Sequence, residues 1–199
     1  MRSRPVTGSS NDPSPEDRAP EARRKAGRWV LDPTASSVAF RHRTLWGLAT
    51  VRGDFIGVAG EGESRADGSV RGTLTIDTAS LHTKNRVRDR HLRSAAFFAA
   101  ADHPTITYVV ENVRAVGEGG LAVTGTLDVR GISRPLIVPA TVAEDADGGA
   151  SLRADVDIDR SAFGMTKNPL GMLRGVATVS VVARFRRATP VRLLHGGTS

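Results

Sequence analysis

Eight segments of this chain alternate apolar and polar residues with a period of two: 37–42, 49–57, 69–77, 105–113, 121–130, 135–142, 150–158 and 175–186. A period of two puts successive side chains on opposite faces of a strand, so each segment has one apolar and one polar face. Val70, Leu74 and Ile76 share a face with Gly72, while Arg71, Thr73 and Thr75 take the other. Leu121, Val123, Leu127 and Val129 share theirs with Gly125, and Val179, Val181 and Phe185 theirs with Gly175, Ala177 and Ala183. Between the segments stand Asp67-Gly68, Gly117 to Gly120, Gly131 and Asp147 to Gly149, residues suited to tight turns. Eight strands of similar length with short turns predict an antiparallel barrel or sandwich. Small residues recur on the apolar faces (Gly53, Gly72, Gly125, Gly175, Ala177 and Ala183), where they permit curvature and leave room inside. An eight-stranded barrel holds either packed side chains or one ligand, and small inward residues favour the ligand.

Two connections do not alternate. Between Asp77 and Thr105, Leu92, Ala95, Ala96 and Ala99 fall at helical spacings, which predicts a short helix. The second, 159–174, carries Phe163 and Met165 and then Leu170, Met172 and Leu173. With Phe97 and Phe98 these are the most apolar loop residues of the chain, and long loops in compact domains are often functional. They are expected to close over or line one barrel end; plugging it as ordinary core is the competing reading. Gly57 to Gly62 invites a phosphate-loop reading, but the Lys-Ser/Thr ending is absent; the stretch reads as a flexible hairpin loop.

The chain has no cysteine, hence no disulfide framework, thiolate metal site or thiol nucleophile. Its five histidines show no His-x-His or His-x-x-x-His spacing, so nothing points to a metal. No apolar run has the length of a membrane span. The first residues lack an apolar signal core, and the stretch after Arg23-Arg24 is interrupted by Asp32-Pro33, so a cytoplasmic location is expected. Net charge is +7. Residues 1–27 hold little to bury and read as a disordered basic tail, with 28–187 as the domain and 188–199 as a flexible C-terminal tail. The basic balance reads first as compositional bias on a solvated surface, with an anionic membrane surface as the competing partner. Nucleic acid does not, because interleaved stacking aromatics and known binding motifs are missing.

Several motifs in series resemble the YceI-like, polyisoprenoid-binding family. They are Trp29 to Asp32 with Ser37-Val38-Ala39-Phe40-Arg41-His42, then Gly53-Asp54-Phe55, then Arg88-Asp89-x-His91-Leu92-x-Ser94 with Phe97-Phe98 and His103-Pro104. Gly125-x-Leu127-x-x-x-Gly131-x-Ser133-Arg134-Pro135 and Ile158-Asp159-Arg160-Ser161-x-Phe163-Gly164 follow. The histidine that often precedes the first-strand serine in that family is replaced by Ala35-Ser36.

The resemblance implies a bacterial, lipocalin-like eight-stranded barrel with one short helix, enclosing a polyisoprenoid or similar isoprenoid amphiphile without catalysing a reaction. It implies no cofactor, and the family's barrels can pair as homodimers. The tunnel wall is then assigned to Phe40, Phe55, Leu74, Ile76, Tyr108, Leu127, Phe163 and Met165, with Phe97 and Phe98 near the mouth. Arg88, Asp89, His91 and Arg160 either orient a headgroup or tie the helix segment to the barrel. Two alternatives stay open: an enzyme on an isoprenoid-type substrate using Asp89 and His91, and an adaptor docking through its basic tail.

Overall fold

The computed structural model describes residues 26–44, 49–166 and 173–188. The expected tails therefore lie almost wholly outside the described residues, as do Leu170 and Met172.

The alternating segments pair into a ring. β1 (Gly27–Leu31) and β2 (Ser37–Thr44) lie end to end as one stave; β3 (Ala49–Phe55) and β4 (Val58–Ser64) form the second. β5 (Val70–Asp77) and β6 (Leu81–His82) form the third, broken by a 3-10 turn at Thr78–Ser80. The first two staves pair half by half, β2 with β3 and β1 with β4. The second and third do likewise, β4 with β5 and β3 with β6. Five unbroken strands follow: β7 (Thr105–Val116), β8 (Gly120–Val129), β9 (Ile132–Glu144), β10 (Ala150–Asp159) and β11 (Leu173–Arg187). β11 pairs along its length with β2 and then β1. That contact closes an eight-staved, up-and-down antiparallel barrel and removes the free edges of an open sheet.

The stretch expected to be a flexible hairpin loop, Gly57 to Gly62, is largely strand β4. Its glycines are there for close approach. A Cβ on Gly60 would stand 3.3 Å from the Leu31 side chain and 3.1 Å from the Thr73 carbonyl oxygen, and Gly62 faces Gly72 across the β4–β5 ladder. Strand β9 is longer than its expected span and contains Pro135 and Pro139. Its pairing with β10 runs only from Ala140 to Glu144, so both prolines precede that ladder, where a missing N–H costs least. Arg130 and Gly131, with φ of 57° and 71°, make the two-residue hairpin between β8 and β9, as a turn of that hand requires.

One barrel end carries the helix α1 (Arg86–Arg93). The Asn85 side chain caps it, accepting from the Arg88 N–H at 3.0 Å, which satisfies one of the free donors of the first turn. Beyond α1 the chain folds back, Phe98 N–H donating to the Leu92 carbonyl at 2.9 Å. This delivers Phe97 and Phe98 over the barrel mouth. Phe98 meets Phe55 edge-on at 5.7 Å between ring centres, and Phe55 lies 5.8 Å from Phe40. The main buried cluster gathers here, around Val38, Phe55, Leu81, Ile106, Val129, Phe163 and Met165.

Candidate functional site

A cavity of about 550 Å³ occupies the barrel beneath this lid. A second, of about 450 Å³, lies toward the opposite end and shares Leu74, Val110, Val123, Leu152 and Phe185 with the first. The two chambers thus meet at a waist. The outer chamber opens among Trp29, Glu61, Glu63, Arg71 and Glu144. Trp29 is fixed there by donating from Nε1 to the Ser64 hydroxyl at 3.0 Å, with the Arg187 guanidinium 5.3 Å from its ring centre.

Of the residues assigned to a tunnel, Phe40, Phe55, Leu74, Ile76, Phe97, Phe98, Tyr108, Leu127 and Met165 line the inner chamber. Phe163 does not; it is buried in the core cluster beside it. Leu74, Tyr108 and Leu127 lie side by side in register on β5, β7 and β8 and form a belt across the wall. Tyr108 is held by its hydroxyl, which lies 2.9 Å from the Val123 carbonyl and 3.1 Å from that of Leu136. Burial, with Glu111 nearby, pushes its pKa up to about 12, so it stays a neutral donor. Space at the small inward residues is not all left for a ligand. A Cβ on Gly53 would stand 2.6 Å from the Phe40 ring, and one on Gly125 would stand 2.9 Å from that of Tyr108. At these two positions glycine admits an aromatic wall residue.

The four polar candidates divide. Arg88 and Asp89 do not line the chamber; they grip Thr83 from two sides. Asp89, 4% exposed, accepts from the Thr83 N–H at 2.9 Å and from its hydroxyl. Arg88 donates to that hydroxyl at 2.8 Å and to the Thr83 carbonyl at 2.7 Å. The second Asp89 oxygen is 3.5 Å from Nδ1 of His82. His91, by contrast, lies on Phe97 with ring centres 4.8 Å apart and lines the chamber, as does Arg160. No hydrogen bond joins Asp89 to His91 among the described residues, so the acid–base pair that the enzymatic alternative needs is not assembled. Among the described residues no group of three His, Asp or Glu side chains converges where a metal could sit.

Two residues were missed by reading the sequence. Arg130 donates to the Gly164 carbonyl at 3.0 Å and to the Ala95 carbonyl at 3.3 Å, so it ties both long connections to the β8–β9 turn. Arg130→Ala is expected to keep the barrel folded while backbone amides of 95–99 and 164–165 exchange hydrogen about tenfold faster, since charged hydrogen bonds of this kind are worth about 1.5–3 kcal/mol at most. Unchanged exchange at both segments would refute the tie.

His42 is the other. It lines the inner chamber and donates from Nδ1 to the Val176 carbonyl at 3.1 Å. Its Nε2 is buried and has no hydrogen-bond partner among the described residues. Burial lowers its pKa below the ordinary 6.5, the Val176 bond opposes this, and the Arg160 cation adds to the lowering. Below 6.5 the unfolded chain therefore takes up a proton that the folded chain refuses, and stability falls with pH. The thermal midpoint is expected to drop between pH 7 and pH 5, with a smaller drop in His42→Leu. Equal drops in both proteins would contradict this.

The sequence pattern of the YceI-like domain matches residues 29–185. The chain belongs to the YceI-like family. Among bacterial relatives of this YceI-like chain, the UPF0312 protein of Ectopseudomonas mendocina is 35% identical over 83 residues, 41% of this chain and 44% of that protein. A UPF0312 protein of Staphylococcus aureus is 33% identical over 107 residues, 53% of this chain and 59% of its own length. The chain spans between about two-fifths and three-fifths of the length of the relatives it matches. Among solved structures, BcnA of Burkholderia cenocepacia superposes with a TM-score of 0.71 at 21% identity, over 80% of this chain and 99% of that one. A polyisoprenoid binding domain from Saccharophagus degradans, implicated in plant cell wall breakdown, gives 0.67 at 20% identity, over 82% and 100%. At these identities the likeness shows the shared barrel fold. No helix among the described residues is long and apolar enough to cross a membrane.

Proposed function

We propose that this YceI-like barrel is a non-catalytic carrier that encloses the chain of a polyisoprenoid or a similar isoprenoid amphiphile. The observation that carries the reading is the pair of adjoining chambers, walled almost wholly by aliphatic and aromatic side chains in the inner one. Such a wall offers a ligand apolar burial and little else. One five-carbon isoprene unit gains about 3–4 kcal/mol gross at ~0.8 kcal/mol per buried carbon group. A few units outweigh the cost of association and any single polar contact. The name of the Saccharophagus degradans domain points to the same ligand class. The split fate of Asp89 and His91, one clamping Thr83 and the other packed on Phe97, favours binding over turnover.

The test is mass spectrometry of an organic extract of the natively purified protein beside a mock purification. A stoichiometric isoprenoid or prenylated quinone-like species is expected. An empty extract, together with no uptake of added geranylgeraniol by the folded protein, would sink the carrier reading.

A further inference from the structure

Among the described residues, the side chains lining the inner chamber are apolar except at four: His42, His91, Tyr108 and Arg160. Tyr108 spends its hydroxyl on the Val123 and Leu136 carbonyls, and His91 lies on Phe97 at the lid. The other two form a pair. His42 is opposite Ala177 on one side of β11, and Asp159, which precedes Arg160, is opposite Val176 on the other. The imidazole and the guanidinium thus flank the same level of β11, both face the chamber, and the Arg160 cation bears electrostatically on His42.

Their hydrogen-bonding capacities are opposite. Because Nδ1–H of His42 is given to the Val176 carbonyl, Nε2 of the neutral ring carries the lone pair and can only accept. Burial and the Arg160 cation keep the ring neutral at pH 7. Arg160 can only donate. We propose that these two residues read the polar head of the enclosed lipid and that this head is a hydroxyl, as in a prenyl alcohol or prenylated phenol. A hydroxyl donates to Nε2 of His42 and accepts from Arg160 at once. A phosphate or a quinone carbonyl meets Arg160 but sets oxygen lone pairs against Nε2, and a methyl ether has no proton to give. This inference rests on the carrier reading and narrows it: the chamber wall supplies affinity, and the pair selects the head.

The experiment mixes the full-length protein with equal amounts of geranylgeraniol, its methyl ether and geranylgeranyl phosphate. Bound lipid is quantified by mass spectrometry after gel filtration. The wild-type protein is expected to retain the alcohol about 5- to 100-fold over the ether, the range set by leaving one buried acceptor unpaired, and also over the phosphate. His42→Leu should hold alcohol and ether alike, and His42→Gln, which carries an acceptor oxygen at similar reach, should restore part of the preference. Should the leucine variant fail to fold, the wild-type ratios and the glutamine variant still decide. Alcohol and ether retained equally by the wild type, or phosphate retained above both, overturns the head assignment while leaving the carrier reading intact. Retention of none of the three overturns both.

Discussion

Leu74→Trp combined with Leu127→Trp is expected to abolish lipid retention while the barrel stays folded. Both side chains line the inner chamber and sit on either side of Tyr108 in one belt of the wall. Leu74 also belongs to the waist shared with the outer chamber. Overpacking a filled core costs about 1–3 kcal/mol per site, but here the added rings have a chamber to enter, so the thermal midpoint should move little. The ligand loses that space instead. Excluding two isoprene units removes about 6–8 kcal/mol of gross burial, roughly four decades of affinity or more. Val109, on the outer face of β7 and 44% exposed, provides the control: Val109→Trp should retain lipid as the wild type does. A folded double variant that keeps lipid at the wild-type ratio would show that the chain does not lie along this wall.

How much of this was legible depends on whether the signal is local. Alternation alone puts Leu74, Ile76 and Leu127 on inward faces, because a strand's period is short and each apolar run reports its own register. The same rule reaches His42, two residues beyond Phe40 and four beyond Val38, although no metal-ligand spacing marks that histidine. β4 escaped because glycine at 60 and 62 leaves no side chain to alternate; its strand character comes from Leu31 and Gly72, which belong to other staves. Closure of β11 on β1 spans most of the chain, and no local pattern announces it. Small inward residues were visible in the sequence, but what fills the space beside them was not: at Gly53 it is the ring of Phe40. Phe163 shows the same limit, since an apolar loop residue reads alike whether it meets a cavity or the core.

The clamp beneath the lid yields the second large effect. Asp89→Ala is expected to destabilise the protein by about 3–5 kcal/mol, the usual result of stripping one partner from a buried charged network, or about 10 °C in thermal midpoint for a domain of this size. Asp89 is almost fully buried, and its loss leaves the Thr83 N–H and hydroxyl without their acceptor. Arg88 would still hold the Thr83 hydroxyl and carbonyl, now without the negative charge opposite. Asp89→Asn keeps one acceptor oxygen and should lie between the two. Burial pushes the Asp89 carboxyl up, but the Thr83 hydrogen bonds outweigh it, helped by His82 and Arg93, and its pKa ends below the ordinary 3.8. The charge therefore stabilises the fold above 3.8 and ceases to do so as pH falls through the lower, folded value. The gap between wild type and Asp89→Asn should close as pH falls through and below 3.8. An alanine variant that melts within about 2 °C of wild type would mean that α1 does not depend on the Asp89 carboxylate for its place. Turnover of a prenyl substrate by the wild type, lost in a folded, lipid-binding Asp89→Asn, would instead return the enzymatic reading.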